Sequence, residues 1–126
     1  MRPPSMCALI SVTDKGKPQA ELPQGWHAIL RVAFDDADPI TFPGANPELV
    51  PISASQAEAI ADFYAVQAAG AKRIIVHCRG GISRSAAIAR ALCSAAGLPF
   101  PESYVEYNHH VFATMQAALR ATPREA

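Results

Sequence analysis

Long apolar runs are missing from this 126-residue chain. Half of its residues are hydrophobic, yet no stretch approaches the length needed to cross a bilayer. No apolar leader core follows Met1-Arg2-Pro3-Pro4 either. An excess of one charge is also missing. Eleven Lys and Arg balance eleven Asp and Glu, so nothing suggests a basic face for nucleic acid or for an anionic membrane. Cysteine is sparse: Cys7, Cys78 and Cys93 are odd in number, and none sits in a metal-type pair. Free thiols in a reducing compartment are the expectation. There is no internal repeat and no low-complexity tract. The chain reads as one cytoplasmic domain over residues 1–126 with no membrane partner, no nucleic-acid partner and no metal.

What is present alternates between strand-like and helix-like segments. Residues 1–6, with adjacent prolines, read as a loose tail. Residues 7–12 and 28–34 read as strands, separated by a loop carrying Gly16, Pro18, Pro23 and Gly25. Pro39, Pro43, Pro47 and Pro51 stiffen a long loop, and long loops in small domains commonly carry function. A helix is predicted over 54–69, opened by a capping box from Ser53 with Gln56 or Ser55 with Glu58 and closed by Gly70. A third strand covers 73–77. The next helix runs to Ala96, with Gly97 and Pro99 to end it. A last helical region spans 102–120, with a possible break at Asn108; Val111, Met115 and Leu119 share one face. The order implies an α/β fold with a mainly parallel sheet covered on both faces.

Between the third strand and its helix the chain reads His77-Cys78-Arg79-Gly80-Gly81-Ile82-Ser83-Arg84-Ser85. Strand, tight loop and helix start form the layout of an anion cradle, because loop N–H groups and the helix dipole converge on one spot. A cysteine at the first loop position would be held as thiolate by the same field. Arg84, separated from Cys78 by five residues, would add a planar two-pronged donor for phosphate oxygens. Gly80 and Gly81 would let the backbone turn inward without Cβ clashes. A buried structural cysteine is the ordinary fate of a free thiol. The placement of Arg84 and the glycines argues against it here.

The run is similar to the HC-x5-R-[S/T] signature of the protein tyrosine phosphatase superfamily, and most resembles its dual-specificity branch in a compact bacterial form. That resemblance implies a sheet of roughly four to five strands flanked by helices, with a phosphate loop after the last parallel strand. It implies a cysteine-dependent phosphatase, acting on phosphotyrosine and on phosphoserine or phosphothreonine through a cysteinyl-phosphate intermediate, without a cofactor. Cys78 would be the nucleophile. Arg79, Gly80, Gly81, Ile82, Ser83 and Arg84 would bind the substrate phosphate, and Ser85 would assist breakdown of the intermediate. His77 would orient the loop, and Asn108 would buttress it. The general acid would be an aspartate on the loop after the preceding strand. Asp36 fits the strand-aromatic-x-Asp pattern as Phe34-Asp35-Asp36, with Asp35 in reserve and Asp38 close by. Partners would be phosphorylated proteins or small phosphoesters, and phosphate, sulfate or vanadate would occupy the loop.

Two other functions remain open. A rhodanese-type sulfurtransferase also mounts a cysteine between strand and helix, but usually with a shorter gap to its arginine. A non-catalytic pseudophosphatase would bind phosphate without turnover, although that class typically loses the cysteine, arginine or acid. Lys72, Arg73, Arg79, Arg84 and Arg90 are the basic residues expected near the site. His109 and His110 are adjacent on a helix and so face different directions, which favours surface or core histidines over a metal pair.

Overall fold

The apolar run at the start of the first strand can be buried on both faces, and this strand becomes the centre of the sheet. The computed structural model describes residues 6–44, 46–79 and 81–121; of the expected tail only Met6 falls within them. Strands β1 (Cys7–Thr13), β2 (Ala28–Ala33) and β3 (Arg73–His77) alternate with helices α1 (Ala54–Asp62), α2 (Arg84–Ala96) and α3 (His109–Ala121). The sheet is parallel, in the order β2-β1-β3. β1 pairs with β2 from Ala8 opposite Ala28 to Thr13 opposite Ala33. It pairs with β3 from Cys7 opposite Arg73 to Ser11 opposite His77.

The α/β class therefore stands, but the described residues make three strands rather than four or five. The long segment between β2 and α1 carries its prolines too regularly to contribute another paired strand. Coverage also differs from expectation. One face of the sheet, with Ala8, Ile10, Val12 and Val32, joins all three helices in a single buried cluster. Its largest side chains include Phe34, Ile60, Phe63, Ile88 and Met115. The other face lies outside that cluster, and there Ile29 and Ile75 flank Leu9 while each keeping 38% exposure. The reason is connectivity: the β1–β2 link contains no helix to lay on that side.

Helix boundaries follow local chemistry. Ser53 and Gln56 form the capping box of α1. That helix passes into a π turn, Phe63–Gln67, which carries Phe63 into the core. Ala68, not Gly70, ends it, and Gly70 takes no left-handed conformation. Gly97 ends α2 at φ 72°, with its N–H and that of Leu98 returning to the carbonyls of Ser94 and Cys93. Residues 102–108 are not helical. Asn108 instead caps α3, its Oδ1 accepting the N–H of Val111 at 2.9 Å. Val111, Met115 and Leu119 are buried on one face as their spacing requires.

The topology fixes where a ligand can enter. β1 sends its chain to β2 on one side, while β3 lies on the other. The crevice between the carboxyl ends of β1 and β3 is therefore a switch point, the usual binding place in open parallel sheets. Asp14 follows β1 there, and Cys78 follows β3.

Candidate active site

His77 is the last residue of β3 and faces Ser11 across the ladder. Its Nε2 lies 2.7 Å from the hydroxyl of Ser11, which is buried. The strand end is thus tied to the central strand immediately before Cys78. The Cys78 thiol is only partly buried. Its Sγ accepts the backbone N–H of Ser85 at 3.4 Å and lies 3.2 Å from Ser85 Oγ. Both groups belong to the first turn of α2.

The loop itself is shaped by Gly81 at φ 64°. A Cβ there would meet no neighbour, so the backbone conformation and not space demands glycine. Gly80 lies outside the described residues. Ile82 is exposed, and its carbonyl accepts the hydroxyl of Tyr104. Ser83 is the N-cap of α2 without a side-chain capping bond, because its hydroxyl is turned elsewhere. It donates to Asp36 Oδ1 at 2.9 Å.

Asp36 receives a second donor on the same oxygen, Asn108 Nδ2 at 2.8 Å. Asn108 is 1% exposed and fully engaged. Its amide also donates to the carbonyl of Ala37, and its backbone N–H donates to the carbonyl of Ser83. One side chain thus joins the β3–α2 loop, the aspartate loop and the start of α3. Asp36 itself remains exposed, within reach of a ligand.

Its neighbours have different tasks. Asp35 accepts backbone N–H groups from Lys15 at 3.1 Å and Val50 at 2.8 Å, one on each oxygen. The Val50 bond outweighs desolvation, and the Lys15 bond and the Arg84 charge add to it, so the carboxyl is held below its ordinary pKa. Asp35 is a clasp between loops. Asp38 accepts N–H groups from Ile40 and Thr41 within its own turn and from His109 and His110 at the N-terminus of α3. Burial raises its pKa, but bonds from Thr41, His109 and His110 prevail and lower it. His109 also meets Thr41 Oγ1 through Nδ1 at 3.0 Å. Both histidines therefore serve the docking of this loop. Among the described residues, no group of three or more His, Cys, Asp or Glu could hold a metal ion.

Arg84 is 3% exposed, and its Nη1 is doubly held, by the carbonyl of Phe34 at 2.7 Å and by Asp14 Oδ1 at 2.8 Å. Its Nε is buried without a partner. Arg79 is the opposite: its side chain is 81% exposed, with only a 3.8 Å approach to Asp14 Oδ2. The other basic residues expected here serve elsewhere. Lys72 and Arg73 lie at the amino end of β3, away from the loop. Arg90 packs its guanidinium 4.9–5.6 Å from the ring centroids of Phe100, Tyr107 and Phe112, fastening the α2–α3 linker.

Two clefts border the loop and share no lining residue. One, about 370 Å³, has Asp36 and Ser83 on its wall beside Pro39, Phe42, Leu49 and Tyr107. The other, about 450 Å³, fills the switch-point crevice with Asp14, Lys17, His77, Cys78 and Arg79. Sequence reasoning missed Asp14, and it placed Asp38 beside the candidate acid without its docking role. The available signal for Asp14 was its position just past the carboxyl end of a buried strand. The docking task of Asp38 carried no signal, because His109 and His110 are distant in the chain. Among the described residues no helix is long and apolar enough to cross a membrane. Comparison of the chain with models of known families, with curated proteins and with solved structures finds no match.

Proposed function

We propose that this protein is a cysteine-dependent phosphatase that hydrolyses phosphate monoesters through a cysteinyl-phosphate intermediate. The observation that carries the reading is the meeting of two distant segments on one loop. Cys78 opens the loop against the first turn of α2, and Asp36 is hydrogen-bonded to Ser83 at its other end, a contact spanning 47 residues of sequence. A nucleophile and a proton donor on opposite sides of one phosphate is what in-line displacement requires.

The steps follow from those positions. The Cys78 thiolate attacks phosphorus, the ester P–O bond breaks, and the leaving oxygen takes the Asp36 proton. Water then attacks phosphorus and gives a proton to the Asp36 carboxylate, while the P–S bond breaks and returns the thiolate. Ser85, 3.2 Å from the sulfur, stabilises the departing thiolate. Loop N–H groups and the free donors of Arg84 hold the equatorial oxygens. The leaving group lies toward Asp36, so it enters the cleft with Phe42, Leu49 and Tyr107. That lining suits the ring of phosphotyrosine, with phosphoserine, phosphothreonine and small phosphoesters as further substrates. A thiol nucleophile suits a reduced, cytoplasmic setting.

The test is hydrolysis of a small aryl phosphate by wild type and by Cys78→Ser, with vanadate as competitor. Turnover lost by about 10⁴-fold or more in the variant, and blocked by vanadate, is the expected result. A folded, reduced wild type without turnover overturns the reading. Thiosulfate activity in its place would identify a sulfurtransferase, and phosphopeptide binding without turnover a phosphate reader.

A further inference from the structure

The guanidinium of Arg84 is the least exposed charge at the site, and the arrangement of its partners is uneven. One terminal nitrogen, Nη1, carries both the Phe34 carbonyl at 2.7 Å and Asp14 at 2.8 Å. The Nε has none, although it is buried. A buried N–H without an acceptor is costly, and one facing a reactive loop is suited to completion by a bound anion. Arg84 is thus gripped by one corner with a second donor left in reserve. The grip comes from the ends of both other strands, Phe34 after β2 and Asp14 after β1.

Asp14 is the adjustable half of that grip. A backbone carbonyl fixes position but brings no net charge, whereas the carboxylate neutralises a guanidinium that could not otherwise be buried. Asp14 keeps 26% side-chain exposure and lines the 450 Å³ cleft that contains Cys78. Its second oxygen reaches toward Arg79 at 3.8 Å. One carboxylate therefore stands between the two arginines of the loop, strongly bonded to the buried one and loosely to the exposed one.

We infer that Asp14 is a positioning residue, fixing the Arg84 guanidinium so that its unpartnered Nε receives an oxyanion held at the Cys78 loop. The oxyanion class is a tetrahedral dianion such as a phosphoryl group. This inference rests on the phosphatase reading for the identity of that anion. The placement of Arg84 by Asp14 rests on the contacts alone. Arginine recognition of a tetrahedral anion is directional, so a guanidinium free to swing should lose much of its value even though its charge remains.

The experiment compares wild type, Asp14→Asn and Asp14→Glu, each checked for folding by its thermal transition. Hydrolysis of a small aryl phosphate and inhibition by vanadate give one arm. In the other arm phenylglyoxal, an arginine reagent, labels the protein, and peptide mapping separates Arg84 from Arg79. Asp14→Asn should lower kcat/KM by about 100-fold and weaken vanadate by a similar factor, while Asp14→Glu recovers part of both. Arg84, protected in wild type, should react in Asp14→Asn. A folded Asp14→Asn protein with unchanged vanadate inhibition and an Arg84 still protected overturns the inference. Wild type with neither turnover nor vanadate binding overturns the phosphatase reading instead, and the Arg84 labelling rate then decides the role of Asp14 by itself.

Discussion

The β3–α2 loop and the β2–α1 loop meet where Ser83 bonds Asp36, yet they are held by different means. The first is short and local. Its shape comes from Gly81, from the start of α2, and from His77 anchored to the neighbouring strand. The second is long, and prolines alone do not place it. Asp35 clasps it to Lys15 and Val50, and Asp38 and Asn108 dock it on the start of α3. Cys78, the proposed nucleophile, therefore rides on a preformed element, while Asp36, the proposed acid, rides on one whose position is assembled from remote contacts. Backbone held by a few peripheral hydrogen bonds opens at lower cost than backbone in a core strand. By that argument the Asp36 loop, rather than the Cys78 loop, is expected to open first.

Replacing Asp36 breaks the comparison at its chemical end. Asp36→Asn keeps an acceptor for Ser83 but has no proton to give. For an alkyl phosphate, a poor leaving group, kcat should fall by about 10²- to 10⁴-fold. For p-nitrophenyl phosphate, whose leaving oxygen needs no proton, the loss should be small. Steady-state kinetics with both substrates decides it, and equal losses would remove Asp36 from the role.

Asn108→Ala breaks the mechanical end. The change deletes a buried amide that bonds Asp36, the Ala37 carbonyl and the Val111 N–H. We expect about 1–3 kcal/mol lost from unfolding stability, measured by denaturant titration. Turnover should also shift toward the Asp36→Asn pattern, with alkyl phosphates suffering more than p-nitrophenyl phosphate. A loss of stability with no change in that ratio would mean that the acid loop holds its place without α3.

The same contrast explains what could be read from the chain beforehand. Each strand and the α2 stop at Gly97 follow from local runs and turn residues, and these were legible. The resemblance paired Ser85 with Cys78, and the two side chains do meet, seven positions apart in sequence. Asp36 was singled out by its aromatic neighbour and the strand end, and it does meet the Cys78 loop through Ser83. The clasp made by Asp35 was not legible, because it depends on the N–H groups of Lys15 and Val50. The tasks of Asp14 and Asp38, the end of helix prediction at Asn108, and the capture of Arg90 by three rings all come from tertiary contacts without a local pattern. The count of strands failed for a different reason. It was borrowed from a resemblance, and this chain supplies only three β-type runs among the described residues.

The smallest effect concerns the two flanking aspartates and the acid stability of the loop. Folding lowers the pKa of both Asp35 and Asp38 below the ordinary 3.8. The folded state therefore binds fewer protons than the unfolded chain as pH approaches that value. Their contribution to stability is complete above the ordinary pKa and is lost as pH falls through the lower folded one. Asp38→Asn removes a charge from the N-terminus of α3, and should cost about 0.3–1 kcal/mol at neutral pH. Below the folded pKa the difference from wild type should close. Asp35→Asn should flatten the same acid limb while leaving the ratio of alkyl to aryl turnover as in wild type. Thermal transitions from pH 7 down to pH 3, alongside that ratio, separate the two roles. An Asp35→Asn protein that loses alkyl phosphate turnover more severely than Asp36→Asn would transfer the proton to Asp35 and reverse the assignment of clasp and acid.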